Sequence, residues 1–159
     1  MSKCTKLLIV RHGAYNEDNM HDMHLSDAGK TQLNGLSKKI VAMVGDKKAA
    51  ILSSTAHCAH ESAAIIAERI GCDFEKHEIL WSERDHPDNF PGTLDLIRPY
   101  LDDTDVLIMV THYEYVEDFP RYFAKEQLQA DIYSHLISKG MMWVLDWSEK
   151  PTLTAVGYN

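Results

Sequence analysis

Residues able to handle a phosphate group follow two apolar runs of the sequence. Arg11 and His12 come directly after LLIV, and His112 comes after VLIMVT. Arginine carries a planar fork of N–H donors that fits phosphate oxygens, and histidine either donates hydrogen bonds or attacks phosphorus. Gly13, next to His12, allows the backbone to approach a ligand closely. These residue types predict an anion site.

The elements that must position these residues are strands alternating with helices. Short apolar runs without alternation are typical of strands buried on both faces of a parallel sheet. Between them the apolar residues recur at helical spacing, with Ser26 as a predicted N-cap and with Gly45 and Gly71 as predicted helix ends. This alternation predicts an α/β fold of three α/β/α layers around a mostly parallel central sheet. The predicted strands span residues 6–10, 49–52, 73–81 and 106–110, the predicted helices span 27–44, 56–70, 93–101 and about 115–125, and a hairpin is predicted over 141–147 and 153–158.

Prolines mark the least regular parts of this pattern. A polar loop is predicted around Pro87 and Pro91, and Pro120 is expected to bend or interrupt the last helix. In sheets of this class, ligands bind beyond the carboxyl ends of the strands. The polar residues expected at that common edge are Arg11, His12, Ser53, Ser54, Glu83 and His112.

Length, charge and composition restrict the possible partners. The 159 residues fit a single domain, 1–159, and the net charge of −8 argues against nucleic acid or an anionic membrane as partner. No apolar run approaches the roughly 20 residues of a membrane helix, and none resembles a signal-peptide core, so a cytoplasmic protein is expected. Cys4, Cys58 and Cys72 are odd in number and form no CxxC pair, which makes a disulfide framework unexpected.

Four segments together point to a known family. In chain order, LLIVRHG, HLSDAGKTQL, LSSTAHCAHESAAIIAERIG and VLIMVTHYE resemble the histidine phosphatase superfamily, which includes phosphoglycerate mutases and the short SixA-type phosphohistidine phosphatases. The short chain, without large insertions, is more similar to the SixA-type members than to the longer mutases. The RHG motif is weak by itself, and the ordered set of four segments is far more specific.

The resemblance implies a role for individual residues. His12 would be the nucleophile that takes the phosphoryl group, Arg11 would bind phosphate oxygens, and His112 would stabilise the charge on the group in transfer. Glu83 resembles the carboxylate that many members use as general acid, and Asp85 is an alternative to it. No metal or cofactor is required, and the implied partner is a phosphorylated small molecule or a phosphohistidine protein.

Two positions depart from the family pattern. The family usually reads S-x-x-x-R, and counting from Ser54 puts Cys58 at the position of that second phosphate-binding arginine. A thiol provides neither a permanent charge nor a two-pronged hydrogen bond. Tyr113, after the late histidine, is bulkier than the usual side chain and is expected to narrow the pocket. The side chains considered as replacements for the arginine are His57, His60, Arg84 and Arg121.

These departures leave alternatives open. Cys58 is most simply a buried apolar residue, although neighbouring imidazoles would favour a reactive thiol. His57, Cys58 and His60, taken with His21 and His24, match no standard zinc spacing. The predicted function is a metal-independent phosphatase that works through a phosphohistidine intermediate. The alternative is an impaired family member that binds a phosphorylated ligand or partner without turnover.

Overall fold

A computed structural model describes residues 3–17, 23–81 and 89–159. Its strands form one six-stranded sheet in the order β3-β2-β4-β1-β5-β6, in which β3, β2, β4 and β1 are parallel and β5 runs antiparallel to both β1 and β6. The elements are β1 (Lys6–Arg11), α1 (Asp27–Val44), β2 (Ala49–Ser53), α2 (His57–Ile70), β3 (Glu75–Lys76), a 3-10 helix (Glu78–Leu80), α3 (Asn89–Asp103), β4 (Val106–Thr111), α4 (Tyr113–Leu128), β5 (Met142–Asp146) and β6 (Thr152–Val156).

The sheet separates two apolar cores, which gives the predicted three layers. Alternate residues of β1 point to opposite faces, because side chains alternate along a strand. Leu8 and Val10 join the core under α1 and α2, whereas Leu7 and Ile9 join the core under α3 and α4. The α/β fold class with a mostly parallel central sheet is therefore confirmed, while the single domain over residues 1–159 stays a prediction.

Local signals set the ends of the two helices on the first face. The Ser26 side chain accepts a hydrogen bond from the backbone N–H of Gly29, as expected of an N-cap, and α1 ends at Gly45. Gly71 ends α2 with a φ of 84°, a left-handed conformation that glycine adopts without strain. Both helices match their predicted ranges closely.

The region around the third predicted strand differs from its prediction. Instead of a strand over residues 73–81, the chain forms the two-residue edge strand Glu75–Lys76 and then a 3-10 helix. Glu75 and Lys76 are exposed, so no buried side chains hold a longer strand in register. Pro91 lies in the first turn of α3 rather than in a loop, because a helix does not use the N–H groups of its first turn. Pro87 lies outside the described residues.

A bend or an interruption was expected at Pro120, and helix α4 is continuous there, so the chain is not interrupted. A proline has no N–H to donate to the carbonyl four residues earlier, which here belongs to Val116. The indole Nε1–H of Trp143 donates to that carbonyl oxygen at 2.8 Å. The neighbouring strand β5 thus supplies the hydrogen bond that the proline removes.

None of the described helices combines the length and apolar character that a membrane span requires.

Candidate functional site

The carboxyl ends of the neighbouring strands β2, β4 and β1 bring the predicted phosphate-handling residues together. His12 follows β1, and its side chain is only 4% exposed. Its ring Nδ1 lies 2.8 Å from the carbonyl oxygen of Gly13. A carbonyl oxygen only accepts hydrogen bonds, so Nδ1 must carry the hydrogen. This fixes the tautomer in which Nε2 keeps a lone pair, as a nucleophile requires.

Close packing is what requires glycine at position 13. A Cβ on Gly13 would lie 2.6 Å from Cδ2 of Leu33 and 2.9 Å from the carbonyl oxygen of Gly29, both on α1. Its N–H donates to Oγ of Ser62 on α2 at 3.1 Å. The glycine after the histidine therefore lets the chain pass close to both helices of the first face.

His112 directly follows β4, and the hydroxyl group of Ser54 forms a hydrogen bond with its ring. Its Nε2 lies 2.8 Å from Oγ of Ser54, the residue after β2, and the same oxygen accepts the N–H of Ala56 at 3.2 Å. When Ser54 donates its hydroxyl hydrogen, His112 carries its own hydrogen on Nδ1 and can offer it to another group. The indole of Trp81 stacks against the imidazole with centroids 6.0 Å apart.

The two histidine rings face one another in a nearly dry environment. Their centroids are 5.0 Å apart with an edge-to-face geometry. Burial lowers the pKa of His12 to about 4, and burial together with the nearby His12 and Arg11 lowers the pKa of His112 to about 3. Both rings are therefore neutral near pH 7, which leaves His12 able to attack an electrophile.

Arg11 offers an unused donor beside these rings. Its Nη1 donates to the carbonyl oxygen of Ile137 at 2.8 Å, which fixes the guanidinium group. Its Nε is buried and has no hydrogen-bond partner. A buried donor without a partner is costly unless a ligand satisfies it. An anion at the end of β1 would do so.

Cys58 occupies the same pocket as a neutral group. It is fully buried, and burial raises the pKa of its thiol to about 12. One ligand-type atom of each of Cys58, His12 and His112 lies within 4.8 Å of those of the other two. The spacing is close enough to hold a metal ion, but burial opposes the thiolate that metal binding needs, and the positive charge of Arg11 opposes a further cation. The geometry fits a small neutral side chain better than a ligand.

Three of the four proposed replacements for the missing arginine, His57, His60 and Arg121, do not point to this pocket. Nε2 of His60 lies 3.1 Å from Nδ1 of His57, so these two rings bond to each other on the outer side of α2. Arg121 pairs with Asp118 on an exposed face of α4. The first residue of that helix, Tyr113, is 44% exposed. Its predicted narrowing of the pocket stays a prediction. Glu83, Arg84, Asp85 and His21 lie outside the described residues.

Lys139 is a cation near the site that the sequence did not indicate. Its Nζ lies 4.5 Å from the ring centroid of Tyr15, whose ring in turn contacts His12 at 5.7 Å. The N–H of the next residue, Gly140, donates to the carbonyl oxygens of both Arg11 and His12. The positive charge of Lys139 is close enough to contribute to the lowered pKa of His12. No periodic pattern surrounds this residue, so only the folded chain reveals it.

Comparison with known proteins found a family match and similar solved structures. The family model described as "Histidine phosphatase superfamily (branch 1)" matches residues 7–88, which is just over half of the 159 residues. No curated protein sequence matches the chain.

Solved structures share the fold at low sequence identity. A protein described as a SixA phosphohistidine phosphatase from Agrobacterium tumefaciens is 18% identical, with a TM-score of 0.68 and coverage of 96% of this chain and 97% of that one. A SixA protein histidine phosphatase complexed with tungstate is 13% identical, with a TM-score of 0.67 and the same coverage. A mycobacterial glucosyl-3-phosphoglycerate phosphatase is 16% identical, with a TM-score of 0.63 and coverage of 98% and 99%.

Proposed function

Because the chain belongs to the histidine phosphatase superfamily, we propose that it is a metal-independent phosphatase with His12 as its nucleophile. The observation that carries this proposal is the hydrogen bond from Nδ1 of His12 to the carbonyl oxygen of Gly13, which leaves Nε2 with a lone pair. The lowered pKa, about 4, keeps that ring unprotonated at neutral pH. A neutral, oriented imidazole is the form that attacks phosphorus.

The reaction proceeds in two displacements at phosphorus. Nε2 of His12 attacks, the bond from phosphorus to the leaving group breaks, and a phosphohistidine forms. The leaving group takes up a proton, for which the family resemblance suggests Glu83 as donor. Water then attacks the phosphohistidine, the P–N bond breaks, and inorganic phosphate leaves with His12 restored. Both steps need correctly placed donors for the phosphoryl oxygens more than any further covalent chemistry.

Three groups are suited to hold those oxygens. Arg11 has its unused Nε–H, and His112 offers a ring N–H in the tautomer that Ser54 supports. Lys139 supplies a second positive charge close to His12 and thereby takes over part of the role of the absent arginine. The proposed site thus keeps two cations although Cys58 is uncharged.

The substrate is either a phosphohistidine on a protein or a small phosphomonoester. The structural match extends over nearly all of this chain and nearly all of the SixA and glucosyl-3-phosphoglycerate phosphatase structures, which motivates testing both substrate classes. The acidic net charge makes nucleic acid an unsuitable partner. The predicted cytoplasmic location belongs to the same proposal.

A second function, phosphate binding without turnover, is favoured by one observation. Cys58 is neutral and buried where the family usually has arginine. Removing one preorganised donor from a site that stabilises developing negative charge costs about 10²–10³ in rate. In this reading the pocket holds a phosphorylated ligand or partner, and His12 serves as a hydrogen-bonding group.

Phosphate release from an aryl phosphate and from a phosphohistidine protein, measured over the acid to neutral range, separates the two functions. The wild-type chain should release phosphate, and His12→Ala should lower the rate by roughly 10³-fold or more, because a nucleophile has no substitute in such a mechanism. His135→Ala changes an exposed histidine far along the chain and should match the wild type. Phosphate binding with equally negligible rates in wild type and His12→Ala on both substrates would favour the binding function instead.

Cys58→Arg tests the departure from the family pattern directly. Restoring the cation should preserve or raise the rate, provided that far-UV circular dichroism shows the variant to be folded. An unchanged trace activity in folded Cys58→Arg, combined with no effect of His12→Ala, would contradict the catalytic proposal.

A further inference from the structure

A second group of histidines lies on the solvent side of α2, away from the pocket of His12 and His112. His57 and Glu61 come from the first turns of that helix, and His24 comes from the segment before α1. One potential ligand atom of each of these three residues lies within 4.8 Å of those of the other two. The rings of His24 and His57 are 4.3 Å apart between centroids.

The helix places two of these ligands on one face. His57 and Glu61 are four residues apart, and side chains at that spacing are neighbours on a helix surface. Histidines at the same spacing provide two zinc ligands in the H-E-x-x-H helix. The group of possible metal ligands predicted from the sequence contained only histidines and Cys58, without Glu61. The relevant set combines a helix pair with His24 from a distant part of the chain.

The backbone and neighbouring side chains hold the three ligands in place. Glu61 uses Oε1 to accept the N–H of Leu25 at 2.9 Å, and its Oε2 contacts Nδ1 of His24. The carbonyl oxygen of His24 accepts the N–H of Asn16 at 3.0 Å. Segments on both sides of the group are therefore fixed before any ligand arrives, which lowers the entropic cost of binding.

His60 orients the ring of His57. When Nδ1 of His57 donates its hydrogen to Nε2 of His60, Nε2 of His57 keeps the lone pair that an ion needs. A ligand histidine characteristically engages its other ring nitrogen in such a hydrogen bond, which fixes the orientation of the ring.

Solvent reaches the group through a cleft. His24 and Glu61 line a cavity of about 630 Å³, together with Asn16, Leu25 and Lys30. This opening gives an ion and its water ligands a route of entry. Two imidazoles and one carboxylate suit borderline cations of the zinc class, which take N and O ligands at about 2.0–2.2 Å.

We propose that His24, His57 and Glu61 form a binding site for a zinc-class divalent cation, with the remaining coordination position open to water from the cleft. The ion would join the segment before α1 to the first turns of α2. This site is separate from the proposed phosphatase pocket, and the inference does not depend on that activity.

Titration of the tag-free, chelator-treated chain with Zn²⁺ alone tests the proposal by calorimetry. The wild type should bind one ion per chain, and His57→Ala and His24→Ala should each weaken the affinity by about tenfold or more. Glu61→Gln is a second, conservative variant, because its amide oxygen can still accept the N–H of Leu25. Co²⁺ in place of Zn²⁺ should give the visible absorption of a low-coordinate site in the wild type and lose it in His57→Ala.

Two controls make the outcome decisive. His135→Ala removes another exposed histidine and should leave Zn²⁺ affinity unchanged, and Cys58→Ser should do the same if the ion avoids the buried pocket. Zn²⁺ should also raise the thermal midpoint of the wild type and not that of His57→Ala, since a ligand that binds the folded state stabilises it. Absence of binding, equal binding by His57→Ala, or loss of binding in Cys58→Ser would each overturn the proposal.

Discussion

Two groups of histidines lie close to the start of α2, and their surroundings give them opposite properties. His12 and His112 are 4% and 5% exposed, and their pKa values fall to about 4 and about 3 because burial disfavours the charged ring. His24 and His57 lie at the surface and contact a carboxylate or one another. The imidazole is therefore kept neutral by burial in one region and is accessible to solvent and its ions in the other.

Adjacent residues of helix α2 belong to these two different regions. Cys58 is fully buried beside His12 and His112, whereas His57, the residue before it, is exposed on the outer side. Successive helical residues point about 100° apart, so one turn can serve two environments. A histidine near an active site is consequently informative only when its burial and partners are known.

Among these variants, loss of the His112 ring should have the largest effect on phosphatase activity. His112→Ala should lower phosphatase activity by about 10²–10³, the range expected on removal of one donor aimed at developing charge. The rate at saturating substrate is the relevant measurement, with His135→Ala as the exposed-histidine control. If His112→Ala changed the rate no more than that control, His112 would not stabilise the phosphoryl group in transfer.

Acid should destabilise the chain through the buried pair. Both rings have folded pKa values below the ordinary 6.5, so the unfolded chain takes up protons on them first. The free energy of unfolding should therefore fall as the pH drops from about 6.5 towards 4, by a few kcal/mol for the pair. Urea unfolding at several pH values should show this loss in the wild type and a smaller loss in His112→Gln. Identical pH dependence in the two proteins would contradict the buried, neutral assignment.

Replacement of the nearby cation should have a smaller effect on activity. Lys139→Met should lower kcat/KM by roughly tenfold, since one charge–phosphate contact contributes about 1.4 kcal/mol at a partly solvated position. Lys139→Arg should retain most of the activity because it keeps the charge. Lys150→Met, in the exposed turn between β5 and β6, is the matched control. Equal rates for both methionine variants would show that the charge of Lys139 does not contribute to activity.

The thiol of Cys58 should hardly react with a thiol-modifying reagent in the native chain. Burial raises the pKa of Cys58 to about 12, and Cys4 is buried as well. An aromatic disulfide reagent should therefore modify at most one thiol of the native chain, the half-buried Cys72, and all three after unfolding. Rapid modification of native Cys58 would restore the alternative of a reactive thiol.

The sequence predicts best what local patterns determine. The ends of α1 and α2 follow from Ser26, Gly45 and Gly71, and β4 follows from an uninterrupted apolar run. The predicted third strand was wrong because an edge strand has few buried contacts to mark its length. The continuity of α4 through Pro120 could not be predicted, because it depends on Trp143 from another element.

The site residues also differ in how far local patterns predict them. Arg11 is the last residue of β1, His12 follows it, and His112 follows β4. The rule that ligands bind beyond strand ends was therefore enough to predict that these residues lie together. Lys139 and Glu61 enter the two sites through contacts with Tyr15 and with His24, residues more than thirty positions away. Contacts between distant segments leave no periodic trace in a sequence. The role of Glu83 stays a prediction.

The phosphohistidine intermediate is the most direct test of the central claim. The wild-type chain is mixed with a phosphorylated substrate, quenched during turnover under alkaline conditions that preserve phosphohistidine, and mapped by peptide mass spectrometry. We expect one phosphoryl group on His12, formed and lost at rates compatible with turnover and absent from His12→Ala. Turnover with His12 unlabelled, or a phosphoryl group found on another residue, would contradict it.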